Sequence, residues 1–503
     1  MVALLLVGFG LRMLKLQNPP LDFHPTRQLR SAIIARGMYY EALPNADPTL
    51  REAAMQTWAT MERYEPPVLE RLVSLTYRVI GGEHLWVARV YSSLFWVIGG
   101  LALYALVRRI LSPAAGLFAA AFYLLLPWGV VASRAFQPDP WMVMWVLLAA
   151  YALYRWFEGG LRSWLWTVLA GFFCGLAVLI KVYSGYAIAG MALFLTIQYL
   201  GEGGRWVKNL GALLRRPQIW VFVMLGALAL IYYVGLGDRS TSFASFWILS
   251  FTGMLRESKF YVRWLGLIRG IMDVMVFFAA LLGAFLYPAR GRAVALGLWF
   301  GYLMIGVTFP YQIYTHDYYS ILLVPVAAFG LAPLAEAVFN RVRLLGPAWR
   351  GIFVTALLLV IAYYGYVARS EIYAIDKSGE PYPWQQMGKN LPHDGPIIGL
   401  IHDYGNRLKY YGWRSVARDW PTQGDLALSA AASEARGSSS SLPTGSAFET
   451  YFKDQTQGMS YFLVTLFADF NAQPALKSML YDHYSVAQKG DGYILFDLRH
   501  PKP

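Results

Sequence analysis

The chain has 503 residues, of which 57% are hydrophobic and 15% are charged, and one soluble core cannot bury so much apolar surface. The sequence therefore indicates an integral membrane protein. Its net charge of +13 does not indicate a nucleic-acid partner, because Lys and Arg collect in the cytoplasmic loops of membrane proteins. The sequence also shows no basic run within a soluble nucleic-acid-binding domain. The single cysteine, Cys174, excludes a disulfide framework.

The first apolar segment, residues 2–16, predicts a transmembrane helix, because it lacks the charged n-region and A-x-A site of a cleaved signal peptide. A polar turn follows it and places Asp22, His24 and Arg27 between prolines at the mouth of that helix. A carboxylate, an imidazole and a guanidinium together form a candidate active site. The alternative is that Asp22 only shapes the turn.

Residues 18–85 are too polar to span a membrane and form a large first loop. Two stretches of it, 29–43 and 68–80, are amphipathic. In the second, apolar residues recur at helical spacing, which predicts a helix on the bilayer surface or against the bundle.

From residue 85 the chain is a series of apolar runs, which with the first segment make about eleven spans of the length that a bilayer core requires. The runs are 85–107, 114–132, 140–154, 164–180, 182–200, 219–236, 264–287, 293–309, 318–339 and 351–368.

Alternate loops differ in charge, and this asymmetry predicts the orientation. One set is basic throughout and should face the cytoplasm: Arg108 and Arg109; Arg155 and Arg162; Arg205, Lys208, Arg215 and Arg216; Arg290 and Arg292; Arg341, Arg343 and Arg350. By parity the Asp22 loop, residues 133–139, the turn at Lys181, the loops 237–263 and 310–317 and the C-terminal region face outside.

Residues 369–503 lose the apolar runs and predict a small extracytoplasmic α/β domain after a membrane module of residues 1–368. Strands are expected at 397–401, 461–467 and 493–497, and a helix near 475–481. An Ala/Ser-rich stretch at 427–445 predicts a flexible loop.

Ionisable side chains recur on the predicted outer side, where each costs a few kcal/mol or more unless it is paired or hydrated, and so each is a functional hypothesis. The candidates beyond the first turn are Glu65, Arg89, Arg134, Asp139, Lys181, Arg269 with Asp273, His316 and Tyr318.

Each candidate has a structural alternative. Arg269 and Asp273, four residues apart, would neutralise each other on one helical face, and Arg134 and Asp139 would cap helix ends beside headgroups. Lys181 would extend to lipid phosphate. The two histidines, His24 and His316, are either metal ligands or hydrogen-bonded structural residues.

One chemistry uses all of these groups. A lipid-linked phosphosugar has an anionic leaving group, so its transfer needs a cation or metal at the phosphate and a carboxylate that deprotonates the acceptor hydroxyl. Asp22 suits the base, and Lys181, Arg89 and Arg27 suit the phosphate.

The order of these motifs resembles the GT-C superfamily of membrane glycosyltransferases, in particular the protein O-mannosyltransferases and the lipid A aminoarabinose and lipopolysaccharide galacturonic acid transferases. The resemblance covers roughly residues 1–370 and depends on Asp22, Glu65-Pro66-Pro67, Arg89-Val90-Tyr91-Ser92-Ser93, Arg134 through Asp139, and Leu179-Ile180-Lys181.

This resemblance implies a GT-C fold, a polyprenyl-phosphate sugar donor, inversion at the anomeric carbon, and catalytic roles for Asp22 and Asp139. It implies an acceptor-side or metal-side role for Glu65. The first loop has Asp22-Phe23-His24 where the mannosyltransferases have Asp-Glu, and no lysine follows Glu65. No cofactor is therefore assigned, a divalent metal ion is left open, and the acceptor is a protein, a glycolipid or a polysaccharide.

Other functions compete with this one. A secondary transporter would show an internal repeat and mid-membrane charges, which the sequence lacks, and a scaffold would not need Asp, Glu, Lys and Arg together in outer turns. A polyprenyl-linked sugar flippase or polymerase also handles polyprenyl-linked sugars, and only analysis of the product would distinguish it from the transferase. The expected setting is a bacterial cytoplasmic membrane.

Overall fold

The computed structural model describes residues 1–61, 65–204, 206–235, 245–434 and 445–502. The α-helices of these residues up to position 374 are α1 Val2–Arg12, α2 Pro25–Glu41, α3 Pro48–Ala59, α4 Val68–Ile80, α5 Trp86–Ile110, α6 Pro113–Leu125, α7 Pro127–Ala132, α8 Asp139–Glu158, α9 Trp164–Ile180, α10 Ser184–Gly201, α11 Trp206–Leu214, α12 Pro217–Gly235, α13 Ser258–Met272, α14 Val274–Ala284, α15 Ala289–Thr308, α16 Pro310–Thr315, α17 Leu323–Val342 and α18 Pro347–Ala374.

The rest of the chain alternates helices and strands: α19 Pro381–Asn390, β1 Ile397–Leu400, α20 Asn406–Tyr411, β2 Arg418–Asp419, α21 Gln423–Glu434, α22 Ser446–Thr456, β3 Tyr461–Val464, α23 Phe467–Asn471, α24 Pro474–His483, β4 Tyr484–Gly490 and β5 Tyr493–Pro501.

Contacts divide the chain into two units. The first consists of Met1–Leu16, Arg63–Val68 and Trp86–Ile375, and the second of Gln17–Glu62, Leu69–Leu85 and Asp376–Pro503. Most of the first large loop, which we expected with the membrane module, is thus grouped with the C-terminal segment. The domain boundary at 368/369 remains a prediction.

The first unit is a polytopic helical membrane protein, as expected. Within the described ranges, six helices are long and apolar enough to cross a bilayer, or seven if a bent pair forms one span. Helices α1, α6 and α9 are shorter and apolar. The count of eleven spans remains a prediction.

The predicted span 264–287 is not one straight helix. It is the pair α13 and α14, bent by 92°, and the break lies at Asp273, whose φ is 69°. The Asp273 carboxylate accepts a hydrogen bond from the backbone N–H of Met275 at 2.8 Å, so it caps α14. Arg269 and Asp273 therefore do not neutralise each other on one helical face.

Glycines allow α10 and α15 to approach closely. A Cβ atom on Gly297 would lie 2.6 Å from the carbonyl oxygen of Gly190, and one on Gly301 would lie 2.4 Å from the Cα of Ala187. Gly297 and Gly301 form a G-x-x-x-G pattern, which lets the backbones of membrane helices touch.

The second unit contains one five-stranded sheet of order β2-β1-β3-β5-β4. Strand β1 is parallel to β2 and β3, and β5 is antiparallel to β3 and β4. Its buried core includes Trp420, Phe462 and Phe496. The three strands and the helix expected from the sequence are confirmed. The edge strands β2 and β4 are largely exposed and therefore lack a hydrophobic pattern.

The Ala/Ser-rich stretch predicted as a loop at 427–445 overlaps the end of α21, which extends to Glu434. Residues 435–444 lie outside the described ranges, and for them the loop remains a prediction.

We expect Gly297→Val to lower the apparent unfolding temperature of the detergent-solubilised protein, because overpacking costs about 1–3 kcal/mol and a clash with backbone cannot relax by a rotamer change. Gly226→Val, in α12, is the control, since nothing lies within 4 Å of a Cβ atom there. The unfolding temperatures are measured by tryptophan fluorescence. Equal unfolding temperatures of the two variants would show that the close approach of α10 and α15 does not need glycine.

Candidate active site

Two helix ends and one non-helical segment of the first unit each supply one ionisable side chain. Asp139 is the first residue of α8, where a carboxylate interacts favourably with the helix dipole. Lys181 follows α9, with an extended backbone and its N–H bonded to the carbonyl of Ala177. Glu65 immediately precedes Pro66 and Pro67, which stand directly before the first residue of α4, Val68.

These three side chains form one cluster, here called the carboxylate–lysine cluster. The Nζ atom of Lys181 lies 3.1 Å from Oδ1 of Asp139 and 3.2 Å from Oε1 of Glu65. The side chains of Lys181 and Asp139 are 1% and 2% exposed, and that of Glu65 is 20% exposed. With both carboxylates ionised the cluster carries a net charge of −1, and its one partly exposed member is Glu65.

Three tyrosines surround the ammonium group. The ring centroids of Tyr183, Tyr318 and Tyr319 lie 5.3, 5.6 and 5.7 Å from the Nζ atom of Lys181, within the range of cation–π attraction. The Tyr183 hydroxyl also donates a hydrogen bond to Oδ1 of Asp139 at 3.0 Å. Because a buried charge must be paired and hydrogen-bonded, these rings help to hold the ammonium in place.

The segment after α16 brings a histidine to the same tyrosines. The His316 ring lies 5.3 Å from that of Tyr318 and 6.4 Å from that of Tyr319. Its Nδ1 atom is 2.6 Å from the hydroxyl of Thr315. An imidazole group therefore adjoins the carboxylate–lysine cluster through the aromatic rings.

The structure brings together five of the residues selected from the sequence: Glu65, Asp139, Lys181, Tyr318 and, through the tyrosine rings, His316. Sequence reasoning did not select Tyr183 as a site residue. Its sequence position has no distinguishing signal, because tyrosines at the ends of membrane helices are common as interfacial anchors.

The described contacts do not assign the other selected residues of the first unit to the carboxylate–lysine cluster. Arg89 is buried within α5, and Arg134 is buried and donates from Nη2 to the carbonyl of Lys15 at 3.2 Å. Arg269 is exposed near the C-terminal end of α13. Their roles at the site remain predictions.

The first turn belongs to the second unit. There Asp22 accepts a hydrogen bond from Nε2 of Gln28 at 3.1 Å, and the same amide donates to the carbonyl of Phe23 at 2.7 Å. His24 precedes α2 with a φ of 47°, and Arg27 lies in the first turn of α2. Gln28 thus holds the Asp22 turn in a defined shape.

The described residues contain no group of three or more His, Cys, Asp or Glu side chains arranged to bind a metal ion. At the carboxylate–lysine cluster the space between the two carboxylates is occupied by an ammonium group. This donor set does not fit a divalent cation.

Solved structures of known proteins share this fold. ArnT from Cupriavidus metallidurans matches with a TM-score of 0.57 at 16% identity in the apo state and 0.54 at 16% identity when bound to undecaprenyl phosphate; each match covers 98% of this chain and 97% of that chain. The oligosaccharyltransferase AglB from Archaeoglobus fulgidus, in complex with an inhibitory peptide and a dolichol-phosphate, matches with a TM-score of 0.57 at 15% identity, over 98% of this chain and 74% of that chain.

The chain therefore has the fold of the GT-C membrane glycosyltransferases, and the resemblance expected from its motifs is confirmed. More particularly, residues 64–234 match the family model of dolichyl-phosphate-mannose-protein mannosyltransferases, a range that contains Glu65, Asp139 and Lys181. No curated protein sequence matches the chain.

We expect Lys181→Met to lower the apparent unfolding temperature strongly, because removing one partner of a buried ion pair costs about 3–5 kcal/mol. Adding Asp139→Asn should recover part of the loss, since the second change removes an uncompensated carboxylate. Lys259→Met is the control, because that lysine is 72% exposed. If the decreases in unfolding temperature of Lys181→Met and Asp139→Asn simply add in the double variant, the two side chains do not stabilise each other.

Proposed function

We propose that this protein is an inverting glycosyltransferase that moves a sugar from a polyprenyl-phosphate donor to a hydroxyl acceptor at the outer face of the membrane. The observation that carries the proposal is the carboxylate–lysine cluster, which assembles acidic groups from distant segments of a GT-C fold. A buried, tyrosine-enclosed arrangement of this kind favours a site of chemistry over a lipid-facing anchor.

The nature of the donor is supported by the structural relatives. One ArnT structure holds undecaprenyl phosphate, and the AglB structure holds a dolichol-phosphate and a peptide. A polyprenyl phosphate would accordingly be the leaving group here. The outer face is inferred from the basic loops of the opposite side.

The reaction we propose is a single displacement. The acceptor oxygen attacks the anomeric carbon from the face opposite the phosphate and forms the new C–O bond, while the bond between that carbon and the phosphate oxygen breaks. The electron pair leaves with the polyprenyl phosphate. The acceptor proton passes to a carboxylate, and we assign this role of general base to Asp22.

The carboxylate–lysine cluster suits the sugar side of this reaction. Its net charge of −1 would stabilise the positive charge that develops at the anomeric carbon, as carboxylates do in glycoside hydrolysis. Lys181 is shared by two carboxylates and is 1% exposed, so we assign it to positioning Asp139 and Glu65. The phosphate would then be held by other cations, including Arg27.

We expect Asp22→Asn to reduce transfer from radiolabelled polyprenyl-phosphate sugars to membrane acceptors by at least about a hundredfold in kcat, the scale of losing a general base. The control is Asp491→Asn, in the exposed turn between β4 and β5, which should retain wild-type rates.

Transfer that survives in Asp22→Asn but is lost in Asp139→Asn would move the general base to Asp139. If the wild-type protein binds the lipid donor yet transfers no label, the glycosyltransferase function itself is wrong.

We also expect transfer to persist in excess EDTA, because the Lys181 ammonium already supplies a cation between the two carboxylates. The measurement is the same transfer assay, with and without chelator and with added Mg²⁺ or Mn²⁺. A rate that collapses with EDTA and returns only with a divalent ion would refute this assignment of Lys181.

A further inference from the structure

The second unit contains a cavity of about 360 Å³ that the proposed chemistry does not use. This is the small end of the range for small-molecule sites. Its wall combines aromatic rings with side-chain amides, an imidazole and one ion pair. The residues that line it include Arg36, Glu83, His84, Gln385, Tyr410 and Trp413. All of them belong to the same unit.

The basic and acidic side chains of this wall, Arg36 and Glu83, form an ion pair, so their charges cancel. The Nε and Nη2 atoms of Arg36 each lie 3.0 Å from a different oxygen of Glu83, and the Tyr410 hydroxyl donates to the same carboxylate. Burial alone would lower the pKa of Arg36, but Glu83 and Tyr410 outweigh it and raise that pKa. Arg36 is therefore a fixed cation whose charge is balanced by a bidentate partner.

Aromatic faces cover the guanidinium group. Its carbon lies 3.8 Å from the ring centroid of Tyr410 and 4.0 Å from that of Trp413. The guanidinium plane thus stacks in a rigid aromatic wall. Such a wall offers flat apolar surface beside fixed hydrogen-bonding groups.

The backbone at Trp413 is strained. Its φ is 55°, a left-handed conformation that a bulky residue rarely adopts. Strain of this kind clusters at ligand-binding positions.

Close backbone packing holds the strained turn against α19. A Cβ atom on Gly388 would collide with the carbonyl oxygen of Gly412, so α19 and the end of α20 touch through backbone. This contact places Gln385 and Trp413 on one cavity wall.

The wall matches the surface of a sugar ring. The ring's C–H face is apolar and can lie against an aromatic side chain, while its hydroxyls both donate to and accept from amide, imidazole and carboxylate groups. An anionic ligand would need an unbalanced cation, and Arg36 is already paired with Glu83.

We infer that this cavity is a binding site for a neutral sugar ring. Its use in the cell rests on the proposed glycosyltransferase function, where the ring would belong either to a glycan acceptor or to the donor. Binding itself does not depend on that function.

The test is saturation-transfer NMR of the full-length protein in detergent with methyl α-mannopyranoside, methyl β-galactopyranoside and methyl β-arabinopyranoside. At least one glycoside should bind. Gln385→Ala should weaken that binding about three- to tenfold, the effect of losing a neutral hydrogen bond. Gln386→Ala is the matched control on the same helix, and Trp413→Gly, which suits the positive φ, should weaken binding further.

Several results would overturn the inference: no glycoside binds, binding is equal in Gln385→Ala and Gln386→Ala, or inorganic phosphate displaces the glycoside. If Trp413→Gly does not fold, the comparison of Gln385→Ala with Gln386→Ala tests the inference by itself. Asp22→Asn, which is expected to lose transfer, should still bind the glycoside, and this result would separate the cavity from the proposed catalysis. The transfer assay compares Gln385→Ala with the wild-type protein. A higher KM for a glycan acceptor in the variant assigns the ring to the acceptor, and a higher KM for the lipid donor assigns it to the donor.

Discussion

The ammonium group of Lys181, buried between two carboxylates, is the interaction on which the first unit's polar centre depends. A lone lysine or aspartate that is this deeply buried would cost several kcal/mol. The contact at 3.1 Å pairs Lys181 with Asp139, and the contact at 3.2 Å gives the ammonium a second carboxylate, that of Glu65. The N-terminal end of α8 and the C-terminal end of α9 must therefore come together before Asp139 and Lys181 can be buried as charged groups. Tyr183 reinforces the meeting, because its ring faces the ammonium and its hydroxyl bonds Asp139.

The two polar centres of the molecule differ in charge, and the difference separates their chemistry. The carboxylate–lysine cluster keeps a net negative charge, which suits a reacting sugar carbon that becomes positive. The cavity of the second unit contains the balanced pair of Arg36 and Glu83 beneath aromatic rings, which suits recognition without reaction. We propose a transferase in which one centre performs the displacement and the other binds a neutral ring.

Much of this could be read from the chain alone. Hydropathy predicted a polytopic helical protein with a small α/β segment, and the confirmed strands are those with continuous buried runs, such as Tyr461–Val464. The occurrence of ionisable residues on the predicted outer side of the membrane selected Glu65, Asp139 and Lys181. The edge strands were missed because exposed residues such as Arg418 and Asp419 show no apolar pattern.

Local sequence determined which segments are helical, which are apolar and which side chains are costly to bury, since these properties depend on neighbours within a few residues. Tertiary structure alone decided which costly side chains meet. Glu65 and Lys181 are distant in the sequence and meet only in the folded chain, and the break at Asp273 overrides a continuous apolar run. The same is true of Trp413, because its ring meets the guanidinium group of Arg36, a residue distant in the sequence, only in the folded chain.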